Sequence, residues 1–390
     1  MHILYGFSNC TDKKYNELMS GKNISILRPD QKYHGLLIKG LAANGANVKC
    51  FSGLPINRML TKKIFIHEAD EQENGVYYHY VNSVNLPLFR QICVFFGSFF
   101  SVFKTKKLSD TFIICDCLNI ANAYGMMIAG KFKRIPVITI VTDIPDMMSQ
   151  GRLARRINNS FFKSVDGFIM LTEQMNSRIN LKARPYIVLE GHVDEKLAAL
   201  NPVEKSEAKT GKKIIIYAGG LQKKYGIANL VEGFLLSDID NCELHIYGDG
   251  DYREDLKAIT RKYENIKYFG VCENAEVVKA EQRAALLVNP RPSSPEYTKY
   301  SFPSKNMEYM VSGTPVLTTK LPGMPEEYHR YVYLIDDESP EGISDKLKAI
   351  FSLSPDERNN KGLSAREFVL KNKSNAKQAA KIIAFLKKEV

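Results

Sequence analysis

The chain has 390 residues, 44% hydrophobic and 25% charged, with a formal net charge of +11 at pH 7. This is a globular composition with room for two or three domains, and it excludes a disordered or collagen-like chain. No window reaches the roughly 18 continuous apolar residues that a membrane-spanning helix needs. The seven cysteines are scattered without a CxxC pair, so a zinc site or disulfide framework is not expected and a reducing cytoplasm fits.

Met1–Tyr5 opens the chain as a short apolar run without the basic flank and long core of a signal peptide, and reads as a first strand. Further candidate strands are Asn47–Phe51, Val76–Val81, Thr111–Asp116, Pro136–Val141, Gly167–Leu171 and Tyr186–Leu189. The polar stretch Glu195–Lys212 follows and reads as a linker or edge connection. A second series runs Lys213–Ala218, Glu243–Tyr247, Asn265–Phe269, Ala285–Val288, Pro315–Thr318 and Tyr331–Ile335. Several of these runs are continuously apolar, as parallel strands buried on both faces require. Strands alternating with helices predict two Rossmann-like α/β domains, with active sites at the carboxyl ends of the strands. The boundaries predicted are 1–195, a linker at 196–212, and 213–375. A last helix within 376–390, apolar at 380, 382, 383 and 386, packs either back on the first domain or locally.

The charge is uneven. Residues 1–200 hold 25 Lys/Arg against 16 Asp/Glu. The basic residues cluster at Lys104-Lys106-Lys107, Lys131-Lys133-Arg134 and Arg152-Arg155-Arg156, which suits an anionic partner or simply a solvated face. Nucleic acid is not expected, because no recognised binding module accompanies the clusters. The aromatic segment Ile92–Phe103 runs into the first cluster. It is either a core helix with lysines at its negative end or a helix lying in a membrane interface, and the core reading is the one favoured.

Candidate chemistry lies in the second half. The strand Lys213–Ala218 runs into Gly219-Gly220, with Lys223 and Lys224 behind, and a second strand ends in Gly248-Asp249-Gly250. Glycines there let backbone approach an anion, although each turn alone is equally a tight structural turn. Asp249-Gly-Asp251 and Asp238-Ile-Asp240 read as DxD pairs but are not expected to hold metal. In Ser301-Phe302-Pro303-Ser304-Lys305, Pro303 suits a first helical turn, so a helix is predicted from Phe302 or Pro303. Its amide groups would meet phosphate oxygens. Lys305 in the first turn, where cations are disfavoured, suggests an anionic ligand. Glu308, a turn further on, suits a ribose diol.

Taken in order, these segments resemble the donor domain of the retaining GT-B glycosyltransferases of family 4 type. The matching residues are Tyr217-Ala-Gly-Gly-Leu221 with Tyr225-Gly226, Ile246-Tyr-Gly-Asp-Gly250, Ser301-Phe-Pro-Ser-Lys305, Glu308-Tyr-Met310, Gly313-Thr-Pro-Val316 and Pro322-Gly-Met-Pro-Glu326. The resemblance implies a GT-B fold, two Rossmann-like domains facing each other across a cleft. It implies metal-independent transfer of a hexosyl or N-acetylhexosaminyl group from a nucleoside-diphosphate sugar, with a UDP-sugar favoured and no cofactor. Gly219, Gly220, Gly248, Ser301, Phe302, Pro303, Ser304 and Glu308 would bind the donor, and Lys224 and Lys305 would stabilise the leaving diphosphate. Tyr300 stands where the family carries the first of two glutamates. Gly220 and Tyr225 stand where a loop arginine and lysine are usual, which marks an SFPSK-type branch.

The first half resembles the acceptor domain. His34–Val48 matches its first helix, and Arg28-Pro-Asp-Gln-Lys32 replaces the usual glycine pair. Lys32 and His34 are the expected acceptor-binding residues. Asp143, in Val141-Thr-Asp-Ile-Pro145, is either a catalytic group or a helix N-cap. The basic first half and family habit imply a lipid-linked glycan acceptor, an anionic membrane surface as partner, and a cytoplasmic enzyme peripheral at the inner face. Two alternatives stay open: a nucleotide-sugar epimerase of GT-B architecture, and a non-catalytic nucleotide-sugar or polyanion binder.

Overall fold

The structure is a computed structural model that describes residues 1–19, 29–56, 58, 60–147, 151–199 and 205–390; Arg28 lies outside them. The chain forms two compact units, Met1–His192 with Asn375–Val390, and Val193–Ser374.

The first unit contains β1 (His2–Gly6), β2 (Asn47–Ser52), β3 (Phe65–Ile66), β4 (Glu71–Glu73), β5 (Val76–Tyr80), β6 (Ser83–Val84), β7 (Thr111–Asp116), β8 (Val137–Val141), β9 (Gly167–Met170) and β10 (Tyr186–Val188). Eight of them form one sheet in the order β10-β9-β8-β7-β1-β2-β5-β4, parallel except for the edge strand β4. Strands β7 and β8 are buried along their whole length, which is why Phe112-Ile113-Ile114 and Val137-Ile138-Thr139-Ile140-Val141 are apolar without alternation. Strands β3, β4 and β6 are too short to leave a pattern in the sequence.

The helix Asn375–Glu389 belongs to this unit. Its Ala379, Ile382, Phe385 and Leu386 join the core that Leu37, Ile38 and Leu41 of the helix Pro29–Ala43 also enter. The two helices touch at Gly40, where a Cβ would lie 2.4 Å from the carbonyl oxygen of Asn375. The helix Pro87–Lys104 corrects the favoured core reading. It buries only Val94, Ser98 and Val102 and leaves its larger apolar side chains outside.

The second unit contains β11 (Lys213–Ala218), β12 (Cys242–Tyr247), β13 (Ile266–Gly270), β14 (Leu286–Asn289), β15 (Val316–Thr319) and β16 (Tyr333–Ile335). They form one parallel sheet in the order β13-β12-β11-β14-β15-β16. Strand order reverses between β11 and β14, so a crevice is expected beyond the carboxyl ends of those two strands. Apolar clusters cover the sheet, one holding Ile215, Leu230 and Leu347 and the other Ile216, Met310 and Val369.

The described part of the polar stretch 196–212 packs into the second unit rather than hanging between the two. Its Ser206–Thr210 helix is fixed by Arg358, which donates to both carboxylate oxygens of Glu207 at 2.7 Å. Lys205 reaches the Gln282 carbonyl at 2.8 Å, and Lys212 pairs with Glu243 at 2.8 Å. Charge that looks solvated in the sequence is thus engaged, and the chain changes unit at His192–Val193 instead.

Candidate functional site

The turns after β11 and β12 are pressed together, and this is what their glycines are for. A Cβ on Gly248, which has φ +125°, would lie 1.8 Å from the Gly219 carbonyl oxygen. The Gly219 amide donates to Tyr247 O at 3.1 Å and the Gly248 amide to Gly270 O at 2.7 Å, so neither is left for a phosphate. Gly220 lies in the same turn, its carbonyl accepting from the Tyr217 hydroxyl at 2.7 Å. Packing of one turn on the other accounts for both glycines, and a donor contact at Gly219 or Gly248 would not use these amides. The DxD residues are similarly engaged: Asp249 pairs with Arg253 at 3.2 Å, and Asp251 accepts from the Lys223 amide at 2.7 Å. Among the described residues no group of three or more His, Cys, Asp or Glu could hold a metal ion.

Cationic groups gather at the topological switch point. Lys224 is exposed, its Nζ 5.5 Å from the Tyr225 ring centroid and 5.7 Å from that of Tyr297. Arg291, two residues past the end of β14, lies over the same rings at 5.3 and 4.8 Å. Each ring thus meets two cations, a favourable contact for each. Neither cation pairs with a carboxylate among the described residues. The Arg291 Nε and the Tyr297 hydroxyl are buried without a hydrogen-bond partner there. The two loops meet at Gly226, with φ +76°, where a Cβ would lie 2.1 Å from Pro290 O. Arg291 was missed in the sequence, although an arginine directly after a buried strand, in Pro290-Arg291-Pro292, was the signal.

The helix Ser304–Ser312 begins one or two residues later than predicted, with Pro303 at the N-cap and no side chain capping its first turn. Three strand ends hold it. The Tyr309 hydroxyl accepts from Ala218 N at 2.8 Å and donates to Ala218 O at 3.2 Å. Asn306, fully buried, accepts from Asn289 Nδ2 at 2.7 Å and donates to Thr318 Oγ1 at 3.0 Å. The helix stops at Gly313, φ +78°, whose amide donates to Met310 O at 3.2 Å. Thr314 Oγ1 then donates to Glu281 O at 2.7 Å, and Pro315 leads into β15. Gly313-Thr-Pro-Val316 is therefore a helix stop and strand entry.

This anchoring places Lys305 in the first turn and Glu308 one turn on, both half-buried. They pair at 2.7 Å, and their side chains are 34% and 36% exposed. Burial lowers the Lys305 pKa, but the carboxylates of Glu308 and Glu281 outweigh it and hold it above the ordinary value, so Lys305 is a cation. The expected clamp residues thus meet as an ion pair, which a bound diphosphate would have to open or share. The Phe302 side chain turns into the core, 5% exposed and with its ring 5.1 Å from that of Tyr328, so only the backbone of this residue is left for a donor. Pro303 is buried as well, Ser304 is exposed, and the Ser301 hydroxyl is buried without a partner among the described residues. The aromatic and proline fix the turn, leaving Ser301 and Ser304 as its candidate polar contacts.

In the first unit, Lys32 is exposed but His34 is not. His34 is 1% exposed, stacked on Phe7 at 3.7 Å, with Nδ1 2.6 Å from the Tyr5 hydroxyl. Burial, with His192 adding to it, drives its pKa well below 6.5, so it is a neutral core histidine and not an acceptor ligand. Its Nε2 lies 3.9 Å from Asp116 Oδ1, at the end of β7. That oxygen has no hydrogen-bond partner among the described residues, and burial raises the Asp116 pKa to about 7. In the sequence Asp116 shows only as the last residue of a candidate strand. Asp143 is exposed in the bend after β8. The 3-10 turn Pro145–Met147 follows, with Ile144 directly before it.

Residues 201–368 match the family model described as Glycosyl transferases group 1. No curated protein sequence matches the chain. Among solved structures, HepE from Anabaena, in complex with UDP, superposes with a TM-score of 0.65 at 13% identity over 98% of this chain and 100% of that one. Sucrose-phosphate synthase from Thermosynechococcus elongatus gives 0.64 at 16% identity over 99% of each chain. The lipopolysaccharide outer core galactosyltransferase WaaB gives 0.63 at 13% identity over 100% of each. The fold is GT-B. The family match lies wholly within the second GT-B unit, and it spans Lys224, Arg291, Lys305 and Glu308.

Proposed function

We propose that the protein is a retaining, metal-independent glycosyltransferase that takes a UDP-sugar on its second unit and passes the sugar to a lipid-linked glycan acceptor bound by the first. The observation that carries this reading is the set of groups at the ends of β11, β14 and β15. Lys224 and Arg291 stand without carboxylate partners among the described residues, and the uncapped Ser304 turn displays Lys305 and Glu308. Phosphate oxygens would satisfy Arg291, Tyr297 and the first-turn amides, and Glu308 would accept from the ribose diol. HepE, a solved structure of this fold, binds UDP, which supports the choice of nucleotide.

The chain's cations would do the electrostatic work. As the bond from the anomeric carbon to the diphosphate oxygen breaks, charge grows on the leaving oxygen, and Lys224, Arg291 and Lys305 would stabilise it. The acceptor oxygen forms the new bond on the same face, and its proton passes to the leaving phosphate. Three such cations supply the charge that a metal ion supplies elsewhere, which supports metal independence. Asp143 and Lys32, both exposed, remain the first unit's candidates at the acceptor.

The test incubates the protein with UDP-, GDP-, ADP- and dTDP-sugars and glycolipid acceptors, with and without EDTA, and reads the product anomer by NMR. Transfer from a UDP-sugar with retention, unaffected by EDTA, is expected. Inversion, or abolition by EDTA, would overturn the mechanism. Release of an epimerised donor without acceptor would instead establish the epimerase alternative.

A further inference from the structure

The helix Pro87–Lys104 is built inside out. Its buried face is small: Val94, Ser98 and Val102, with Gly97 set where a Cβ would lie 2.2 Å from Val81 Cγ1. Asn122 Nδ2 donates to Ser98 Oγ at 2.9 Å, and Gly125 of the neighbouring helix approaches so closely that its Cβ would lie 2.2 Å from Phe95 O. The outer face carries Leu88, Phe89, Ile92, Phe96, Phe100 and Phe103, between 46% and 72% exposed. Their spacing of three to four residues puts them in one stripe along the helix. Phe132 of the helix Ile120–Lys133, 71% exposed, extends it, linked through Phe99, whose ring lies 6.3 Å from Phe132 and 5.6 Å from Phe103. A helix facing water would turn these large side chains inward and its polar ones out.

Charge falls only at the ends of this stripe. Arg90 turns inward and donates to the carbonyls of Leu54 and Ile56. At the carboxyl end, two basic clusters that are far apart in sequence come together. Lys107 Nζ reaches Arg134 O at 2.8 Å, and Lys133 Nζ reaches Phe103 O at 2.8 Å and Thr105 O at 2.6 Å. None of Lys104, Lys106, Lys107 and Lys133 pairs with a carboxylate among the described residues. No helix among those residues is long and apolar enough to cross a membrane.

We propose that this face docks on an anionic lipid bilayer, with the Leu88–Phe103 stripe and Phe132 lying in the interface and the lysines on the lipid phosphates. An apolar stripe beside unpaired lysines has the chemistry of an interfacial helix. A second copy of the chain fits less well, because a two-fold contact would press the same uncompensated lysines together. The inference goes beyond the transfer reading and rests on none of its residues, so lipid binding can succeed where sugar transfer fails.

The chain contains no tryptophan, so Phe100→Trp supplies a sole reporter. Leu236→Trp, at a 46% exposed position in the second unit, is the control. With phosphatidylcholine–phosphatidylglycerol vesicles the indole emission of the Phe100→Trp variant should shift to the blue, and that of the control should not. Co-sedimentation of the unaltered protein with these vesicles should weaken about tenfold on Lys104→Glu with Lys106→Glu, and as much on Phe96→Ser with Phe100→Ser. Both pairs of positions are exposed, so unchanged unfolding midpoints will show that the fold survives. No blue shift, or co-sedimentation indifferent to both double variants, overturns the proposal. So does a concentration-dependent dimer that Phe96→Ser with Phe100→Ser abolishes, which would make the stripe a self-interface.

Discussion

The two units share an architecture and use their strand ends differently. In the second, the ends of β11 and β14 carry Lys224 and Arg291, positive groups without carboxylate partners among the described residues. In the first, the ends of β1 and β7 carry Tyr5, Phe7 and Asp116, which pack around His34 of the helix Pro29–Ala43, with His34 held neutral and Asp116 raised to about 7. One region presents uncompensated charge and the other suppresses it. A residue's type and place at a strand end therefore do not make it a ligand group; what matters is whether its charge is exposed and unbalanced. The first pattern suits a diphosphate and the second does not.

The largest test of this contrast is Gly248→Ala. With a Cβ 1.8 Å from Gly219 O at φ +125°, both the turn packing and the backbone are strained. Unfolding by urea should show a loss of about 3–5 kcal/mol, combining overpacking with a disfavoured backbone region. Little change would mean that the two turns are not packed as described. Phe302→Ala should cost a similar ~3–5 kcal/mol by opening a core cavity, while the fraction that stays folded binds UDP normally. Lost binding at full stability would restore Phe302 to the donor site.

Arg291→Ala separates the site from the scaffold. It should weaken UDP binding about ten- to a hundredfold by calorimetry, the worth of a hydrogen bond to a charged group, with a small change in stability. Equal binding would remove Arg291 from the site.

The smallest expected effect is a pH dependence in the first unit. His34 and His192 have folded pKa values below 6.5, the latter near 4, in both cases through burial first. The unfolded chain therefore binds more protons there, and stability falls as pH drops from about 6.5 towards 4. Asp116, raised to about 7 by burial, acts in the opposite sense: its contribution is lost as pH rises from about 4 to 7. Two histidines against one carboxyl leave a net loss on acidification, about 1.4 kcal/mol per pH unit at most. His192→Gln should flatten that slope while keeping a donor for Tyr33 O, which the His192 ring meets at 2.8 Å. An unchanged slope in a thermal unfolding series would contradict the assignment.

Much of this was legible in the sequence. Apolar β-branched runs placed the two parallel sheets, because strands buried on both faces have no polar residues to blur them. Gly226, Gly248 and Gly313 were visible as motif glycines. The physical reason for Gly226 and Gly248, contact of one loop with another, is not local, and so the motif does not show it. The motifs around Phe302 and His34 do not record which way a side chain points, and both side chains turn into the core. Arg291 was overlooked because its importance comes from strand order, which brings β14 beside β11. The helix Pro87–Lys104 had the composition of a core helix, and only its packing showed that the small residues face inward.

The measurement that bears most directly on the central claim is UDP binding by titration calorimetry, for the unaltered protein, Lys305→Ala and Glu308→Ala, with and without EDTA. The account predicts binding by the unaltered protein that EDTA leaves alone and that each substitution weakens at least about tenfold, since each removes a charge-assisted contact. Undiminished binding by Glu308→Ala would contradict the placing of the ribose on the Ser304–Ser312 helix, and no binding of UDP by the unaltered protein would contradict the donor site itself.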